Sequence, residues 1–146
     1  MISIIPTKPC HLDRIWQIEQ LVHSHPWSKA SINNLSSRGA IHHVILEEDL
    51  VIGYFYAQNI VDEVSLLNIA IAKECQNRGF GRRLLQFLTE YSEQKKAESI
   101  WLEVRAGNQN AVHLYESVGF NEIDRRENYY PSDKGREDAI IMTLTL

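Results

Sequence analysis

The stretch Asn68-Ile69-Ala70-Ile71-Ala72-Lys73-Glu74-Cys75-Gln76-Asn77-Arg78-Gly79-Phe80-Gly81-Arg82-Arg83-Leu84-Leu85 reads as an apolar strand, a short polar loop with glycines spaced G-x-G, and the start of an amphipathic helix. Such a strand-loop-helix unit places several backbone N–H groups at a helix N-terminus, which is the physical recipe for holding a phosphate. Gly79 and Gly81 let the backbone take positive φ and let a bulky anion approach, while Arg78, Arg82 and Arg83 add positive charge to that of the helix end. A diphosphate is the natural guest, although an ordinary glycine-rich loop with solvated arginines accounts for the same residues. Two familiar phosphate loops do not fit. A Walker loop needs Gly-Lys followed by Ser or Thr, but Gly81 is followed by Arg82, and a Rossmann fingerprint needs a third glycine where Leu84 stands.

Outward from this unit the periodicity gives the remaining elements. N-terminal to it, residues 2–5 form a short strand, and Leu12, Ile15, Trp16, Ile18, Leu21 and Val22 recur at helical spacing over 9–25, where Pro26 stops the helix. Ser28 is an N-cap for a second short helix through Leu35. Strands over 43–47, 50–60 and 64–72, joined by turns at Glu48-Asp49 and Asp62-Glu63, make an antiparallel meander. C-terminal to the loop, a long helix runs from Gly81 with Leu84, Leu85, Leu88 and Tyr91 on one stripe, until Gln94-Lys95-Lys96. In the strand over 99–105, Ile100, Leu102 and Val104 share one face, and Trp101, Glu103 and Arg105 the other. A short helix carrying Ala111, Leu114, Tyr115 and Val118 closes at Gly119. Two last strands over 120–130 and 139–146 flank Pro131-Ser132-Asp133-Lys134-Gly135.

With 146 residues, 44% of them hydrophobic and 23% charged, the chain suits one domain with a sizeable core. A formal net charge of −4 argues against broad adhesion to nucleic acid or an anionic membrane, and it suits a basic peptide substrate. No apolar run approaches the roughly 18 residues of a membrane span, and Met1 to Pro6 lacks the basic leader of a signal peptide. A cytoplasmic protein is expected. Cys10 and Cys75 form no C-x-x-C pair and read as reduced thiols. The six histidines show no metal-ligand spacing, so no metal is expected. A monomer is expected, since no large apolar surface stripe stands out.

The order of elements, the Gln76-x-x-Gly79-x-Gly81 loop, and Asn108 followed by Tyr115-Glu116-Ser117-Val118-Gly119-Phe120 resemble the GCN5-related N-acetyltransferase superfamily over nearly the whole chain. The resemblance implies an α+β fold, a single GNAT domain over 1–146 with a mostly antiparallel mixed sheet of six to seven strands flanked by about four helices. It also implies acetyl-CoA as co-substrate. Ile69, Ala70 and Ile71 would contact the pantetheine arm and acetyl group, Asn77, Arg78, Gly79, Phe80, Gly81 and Arg82 would wrap the pyrophosphate, and Asn108 would touch the cofactor. Further residues, Pro26-Trp27-Ser28, Trp101-Leu102-Glu103-Val104-Arg105, Asn128-Tyr129-Tyr130-Pro131 and Gly135-Arg136-Glu137-Asp138-Ala139, are similar to the branch of that family that acetylates the N-terminal alanine of small-subunit ribosomal protein eighteen. In that branch the residues matching Glu103 and Tyr115 are proton acceptor and proton donor. Cys75 and Asn77 depart from the aromatic and basic residues common there.

The residue types suit those roles. A peptide α-amine, with a pKa of about 7.7 to 8.0, is largely protonated near neutral pH and cannot attack a thioester until a base such as Glu103 removes a proton, directly or through water. Backbone N–H groups at the bulged end of the strand from Asn68 to Ala72 would stabilise the oxyanion, and Tyr115 would protonate the leaving thiolate. Read without the family, a solvated strand carboxylate accounts for Glu103 as well as a general base does, and a core aromatic with its hydroxyl at the surface accounts for Tyr115. Trp27, Tyr129 and Tyr130 are candidate walls for the N-terminal peptide of a ribosomal protein, and Glu137 and Asp138 candidate docking charges for it. A lysine or small amine as acceptor, or a CoA-binding module without catalysis, are the competing readings.

Overall fold

The computed structural model describes residues 1–132 and 135–146; Asp133 and Lys134, in the expected turn between the last two strands, lie outside the described residues. Seven strands form one sheet: β1 (Ile2–Pro6), β2 (His43–Glu47), β3 (Leu50–Ile60), β4 (Glu63–Ile71), β5 (Ser99–Arg105), β6 (Asn121–Ser132) and β7 (Gly135–Thr145). Their order is β1-β2-β3-β4-β5-β7-β6. Every neighbouring pair is antiparallel except β4 and β5. That parallel pair needs a crossover, supplied by the long helix α3 (Phe80–Gln94), whose Leu84, Leu85 and Leu88 are buried on the sheet. Helices α1 (Leu12–Val22) and α2 (Lys29–Asn33) cover the opposite face, and α4 (Gln109–Ser117) follows β5. The seven-stranded mixed sheet with four helices is the expected α+β architecture.

Boundaries differ where tertiary contacts outweigh local pattern. The first helix, expected over 9–25, opens as a 3-10 turn at Pro9–His11 and ends at Val22, because His23 is already extended. Leu21, placed on the apolar stripe by its spacing, is 71% exposed. Ser28 does cap α2, accepting from the Ser31 N–H at 3.2 Å, but α2 stops at Asn33 rather than Leu35. The last two strands run well into residues that read as polar loop: β6 and β7 pair out to Ser132 and Gly135, beyond the core, so an exposed and charged hairpin needs no apolar alternation.

The register of β3 on β4 carries one irregularity with large effect. Tyr56 pairs with Asn68 and Ala57 with Leu66, so Leu67 has no opposite residue. This bulge moves the side chains on either side of it to opposite faces of the sheet. Leu66 shares a face with Ala57 and Phe55, against α3, whereas Asn68 and Ala70 share a face with Tyr56 and Tyr54, against α1. Parallel pairing of β4 with β5 ends at Leu66 opposite Leu102. Beyond it the strands part, and β5 continues paired only with β7.

Close packing at one glycine keeps β3 against the parted segment of β4. A Cβ on Gly53 would lie 2.6 Å from Ile71 Cδ1 and 2.7 Å from the Ala70 carbonyl oxygen, and backbone cannot yield to it. Gly53→Ala is therefore expected to lower the unfolding free energy by about 1–3 kcal/mol, read as a lower urea midpoint with unchanged slope.

Candidate functional site

Where β4 and β5 part, a cleft of ≈ 970 Å³ opens through the sheet, lined by the outer half of β4, the loop after it, and residues of α1, β5 and α4. Hydrogen-bond alternation tells which β4 groups face it. The Ala72 N–H donates to the Ile52 carbonyl at 2.8 Å, so Ala70 and Asn68 fall in bonded pairs with Tyr54 and Tyr56, and the backbone groups of Ile69 and Ile71 point away from β3 into the gap. Gln76 Nε2 donates to the Ile71 carbonyl at 3.0 Å, pinning the loop to the strand. Among the described residues the Ile71 N–H and both backbone groups of Ile69 remain open, a sheet edge ready for an added strand-like ligand. Ala70, expected beside them, also lines the cleft, with its backbone turned to Tyr54 of β3.

The loop turns into α3 through two left-handed residues, Asn77 (φ 64°) and Gly79 (φ 85°). Gly79 caps α3 with no side-chain acceptor, and no acidic residue occupies the first turn, so the first N–H groups of α3 are uncapped and face the cleft beside Asn77, Gly79, Phe80, Gly81 and Arg82. Gly81 packs closely on α4, since a Cβ there would meet Leu114 Cδ2 at 3.1 Å and press that side chain aside. The arginines divide. Arg78 turns away, donating to both carboxylate oxygens of Glu47 at 3.2 and 2.8 Å and stacking over Phe80 at 4.8 Å; its partner carboxyl is held below the usual range by that hydrogen bond. Arg82 donates at 2.8 Å to the neutral Ser117 hydroxyl and lines the cleft with its charge. Asn108, the N-cap of α4, accepts from the Ala111 N–H at 3.3 Å and also lines the cleft.

On the other side of the gap, Glu103 is the first β5 residue past the last parallel pair. Because it alternates with Leu102, it projects to the α1 face, the face of Asn68 and Tyr56. Its side chain is 36% exposed; Oε2 accepts from the Tyr130 hydroxyl at 3.3 Å and Oε1 lies 3.5 Å from Arg126. Burial, with the Glu103 charge second, pushes the Tyr130 hydroxyl up to about 12. Arg105 stacks on the Tyr130 ring at 4.3 Å. Tyr115 enters from α4; burial raises its hydroxyl above the ordinary tyrosine range, so it is held protonated. Trp27 lines the cleft and meets the Tyr56 ring edge-on at 5.3 Å. Tyr129 is not in the lining; it packs edge-on to Tyr130 at 5.0 Å, with Arg126 over its other side.

Two acidic residues expected to dock a peptide are occupied by neighbouring groups of the chain, Glu137 by the end of β5 and Asp138 within the hairpin. Glu137 accepts from Arg105 at 2.9 Å and from the Gly107 N–H at 3.2 Å, and Asp138 accepts from the Asn128 N–H at 3.0 Å. Arg136 donates to the Asn128 carbonyl at 2.7 Å, so the Gly135 to Ala139 motif holds left-handed Asn128 and with it the two tyrosines.

Sequence reasoning missed a buried network on the α1 face. Glu19, 1% exposed, lines the cleft. Its Oε1 accepts from the Tyr54 hydroxyl at 2.6 Å and from Asn68 Nδ2 at 2.9 Å, and its Oε2 from the Trp27 N–H at 2.9 Å. Burial and then the Glu19 carboxylate raise both Tyr54 and Tyr56. His23 Nε2 lies 2.9 Å from Asn68 Oδ1 and 3.6 Å from Glu19 Oε1. The available signal was a glutamate within an apolar helix stripe, between Ile18 and Val22. Cys10 and Cys75 are both free thiols, no group of metal-binding side chains occurs among the described residues, and none of their helices is long and apolar enough to cross a membrane.

The profile of the acetyltransferase (GNAT) family matches residues 12–120. Over 145 residues the chain is 41% identical to the ribosomal protein bS18-alanine N-acetyltransferase of Salmonella typhimurium, spanning 99% of this chain and 97% of that protein. The crystal structure of the ribosomal-protein-S18-alanine N-acetyltransferase from Escherichia coli superposes with a TM-score of 0.94 at 38% identity, over 99% of this chain and 94% of that one. Arabidopsis thaliana NAA60 in complex with acetyl-CoA shares the fold, with a TM-score of 0.90 at 17% identity over 100% of this chain and 99% of that one.

Replacing Glu19 by leucine would leave the Tyr54 hydroxyl, the Asn68 amide and the Trp27 N–H without their acceptor. At about 1–3 kcal/mol for each stranded buried donor, Glu19→Leu is expected to lose about 3 kcal/mol or more of stability in chemical denaturation, with Glu19→Gln losing less.

Proposed function

The chain belongs to the acetyltransferase (GNAT) family, and on that premise we propose that it transfers the acetyl group of acetyl-CoA to a protein N-terminal α-amine, the terminal alanine of ribosomal protein bS18. It does so as a cytoplasmic monomer, with residues 1–146 as one catalytic domain. The observation that carries this reading is the 41% identity, along 99% of the chain, to an enzyme named for that reaction.

The residues fit acetyl-CoA. The open β4 edge at Ile69 and Ile71 suits the amides of a pantetheine arm, and the uncapped start of α3, with left-handed Asn77 and Gly79, suits a diphosphate. Bound there, acetyl-CoA supplies a thioester carbonyl open to attack and a thiolate able to leave. The Ile69 N–H donates to the oxygen on which charge builds. Glu103 takes a proton from the incoming α-ammonium, directly or through one water, and the Tyr115 hydroxyl donates to the leaving sulfur. Trp27 and Tyr130 form the walls around the peptide, with Tyr129 bracing Tyr130 from outside.

Mass spectrometry of a bS18 N-terminal peptide incubated with acetyl-CoA should show acetylation of the free terminal alanine and none of an N-terminally blocked, lysine-containing twin. Modified lysine in the twin would reassign the acceptor, and silence of both with intact cofactor binding would favour a small amine or a non-catalytic module. Glu103→Gln is expected to reduce turnover by about 10²–10³-fold while acetyl-CoA affinity changes little; Tyr115→Phe should also act on turnover rather than affinity. In calorimetric titration, Arg82→Ala should weaken acetyl-CoA binding at least fivefold more than Arg78→Ala, because Glu47 already neutralises Arg78.

A further inference from the structure

The buried network fixes a proton acceptor that Glu103 and Tyr115 do not account for. A carboxylate only accepts, so the Asn68 amide must turn its nitrogen to Glu19 Oε1 (2.9 Å) and its oxygen to His23 (2.9 Å). Asn68 Oδ1 accepts in turn, so the hydrogen of the neutral imidazole sits on His23 Nε2 and its Nδ1 carries the lone pair. Among the described residues His23 Nδ1 has no hydrogen-bond partner, while the side chain lines the cleft and is 30% exposed. Glu19 Oε1, 3.6 Å from Nε2, is the countercharge for an imidazolium when it forms.

Its position follows from the register. His23 is tied to Asn68, two residues past the last β4 residue paired to β5, and the bulge turns Asn68 to the α1 face. Glu103 lies one residue past the same point on β5 and projects to that face. The two side chains therefore flank the fork in the sheet, His23 tied to β4 through Asn68 and Glu103 carried by β5, on the side where Trp27 and Tyr130 stand.

The reaction needs two acceptors there. An α-ammonium nitrogen carries three protons and the amide product one, so two leave the nitrogen. We propose, resting on the acetyl-transfer reading above, that His23 is a second catalytic base. Glu103 takes the proton that leaves before attack, and His23 Nδ1 takes the one that leaves as the C–N bond forms and the C–S bond breaks. The resulting imidazolium, beside Glu19, and the protonated Glu103 each pass their proton to solvent; Tyr115 gives one to the thiolate sulfur and regains one from solvent. The nitrogen loses two protons, the sulfur gains one, and one is released. Asn68 and Glu19 are positioning residues that set the tautomer.

The test is steady-state kinetics of the full-length His23→Ala and His23→Gln variants with the bS18 peptide, alongside the parent protein, after circular dichroism has confirmed folding. Expected is a loss in kcat of about 10²-fold with acetyl-CoA affinity within twofold, and restoration of the alanine variant by added imidazoles at rates that rise with their basicity. A purely structural histidine would not give that dependence. Parental kcat in the glutamine variant, or rescue indifferent to basicity, would overturn the proposal while leaving the acetyl-transfer reading intact. Failure of the parent protein itself to acetylate the peptide would remove both.

Discussion

Leu67 has no opposite residue on β3, and the bulge it forms decides which side chains meet at the cleft. Without it, Asn68 and Ala70 would continue on the α3 face with the wrong backbone groups on the open edge. With it, apolar Ile69 and Ile71 sit toward α3 with their backbones facing the gap, and Asn68 turns into the polar network under α1. The parting of β4 from β5 beyond Leu66 and Leu102 then exposes both sets of groups to one cavity. One face offers N–H donors and a helix N-terminus; the other offers carboxylate, imidazole and aromatic rings.

Glu19 is the keystone of that second face. A carboxylate removed from water costs several kcal/mol unless its lone pairs are satisfied, and here three donors from three separate segments supply the satisfaction: Tyr54 of β3, Asn68 of β4 and the backbone of Trp27. One side chain thereby fixes the end of α1, the chain leading to α2, and the paired strands β3 and β4 on one side of the cleft. Tyr56 adds a parallel tie, donating to the Ile32 carbonyl of α2 at 2.7 Å. Such multiply bonded groups hold the side chains around them to a narrow range of positions.

The electrostatics are local rather than global. A chain of formal net charge −4 still presents a positive end at α3, because the uncapped N–H groups and Arg82 are not neutralised. Arg78 differs only in its neighbour: Glu47, at the end of β2, takes its guanidinium in a bidentate pair away from the cleft. Likewise the acidic residues Glu137 and Asp138 are bonded to the chain itself, Glu137 tying β7 to Arg105 and Gly107 and Asp138 holding Asn128 within the hairpin, and so presenting Tyr130 to Glu103.

Sequence alone determined the strand-loop-helix around Gly79 and Gly81, the meander before it, the two-faced β5 that carries Glu103, and the N-cap at Ser28, because each depends on neighbours a few residues apart. It also carried the family, through motifs spread along the chain. Only the tertiary structure decided the bulge at Leu67, the pairing that withdraws Arg78, and the length of the β6–β7 hairpin. It alone joined Glu19, His23 and Asn68, whose outer members are separated by 49 positions. These rest on contacts between distant segments, and nothing in the local periodicity of a chain records which remote carboxylate a buried amide will find.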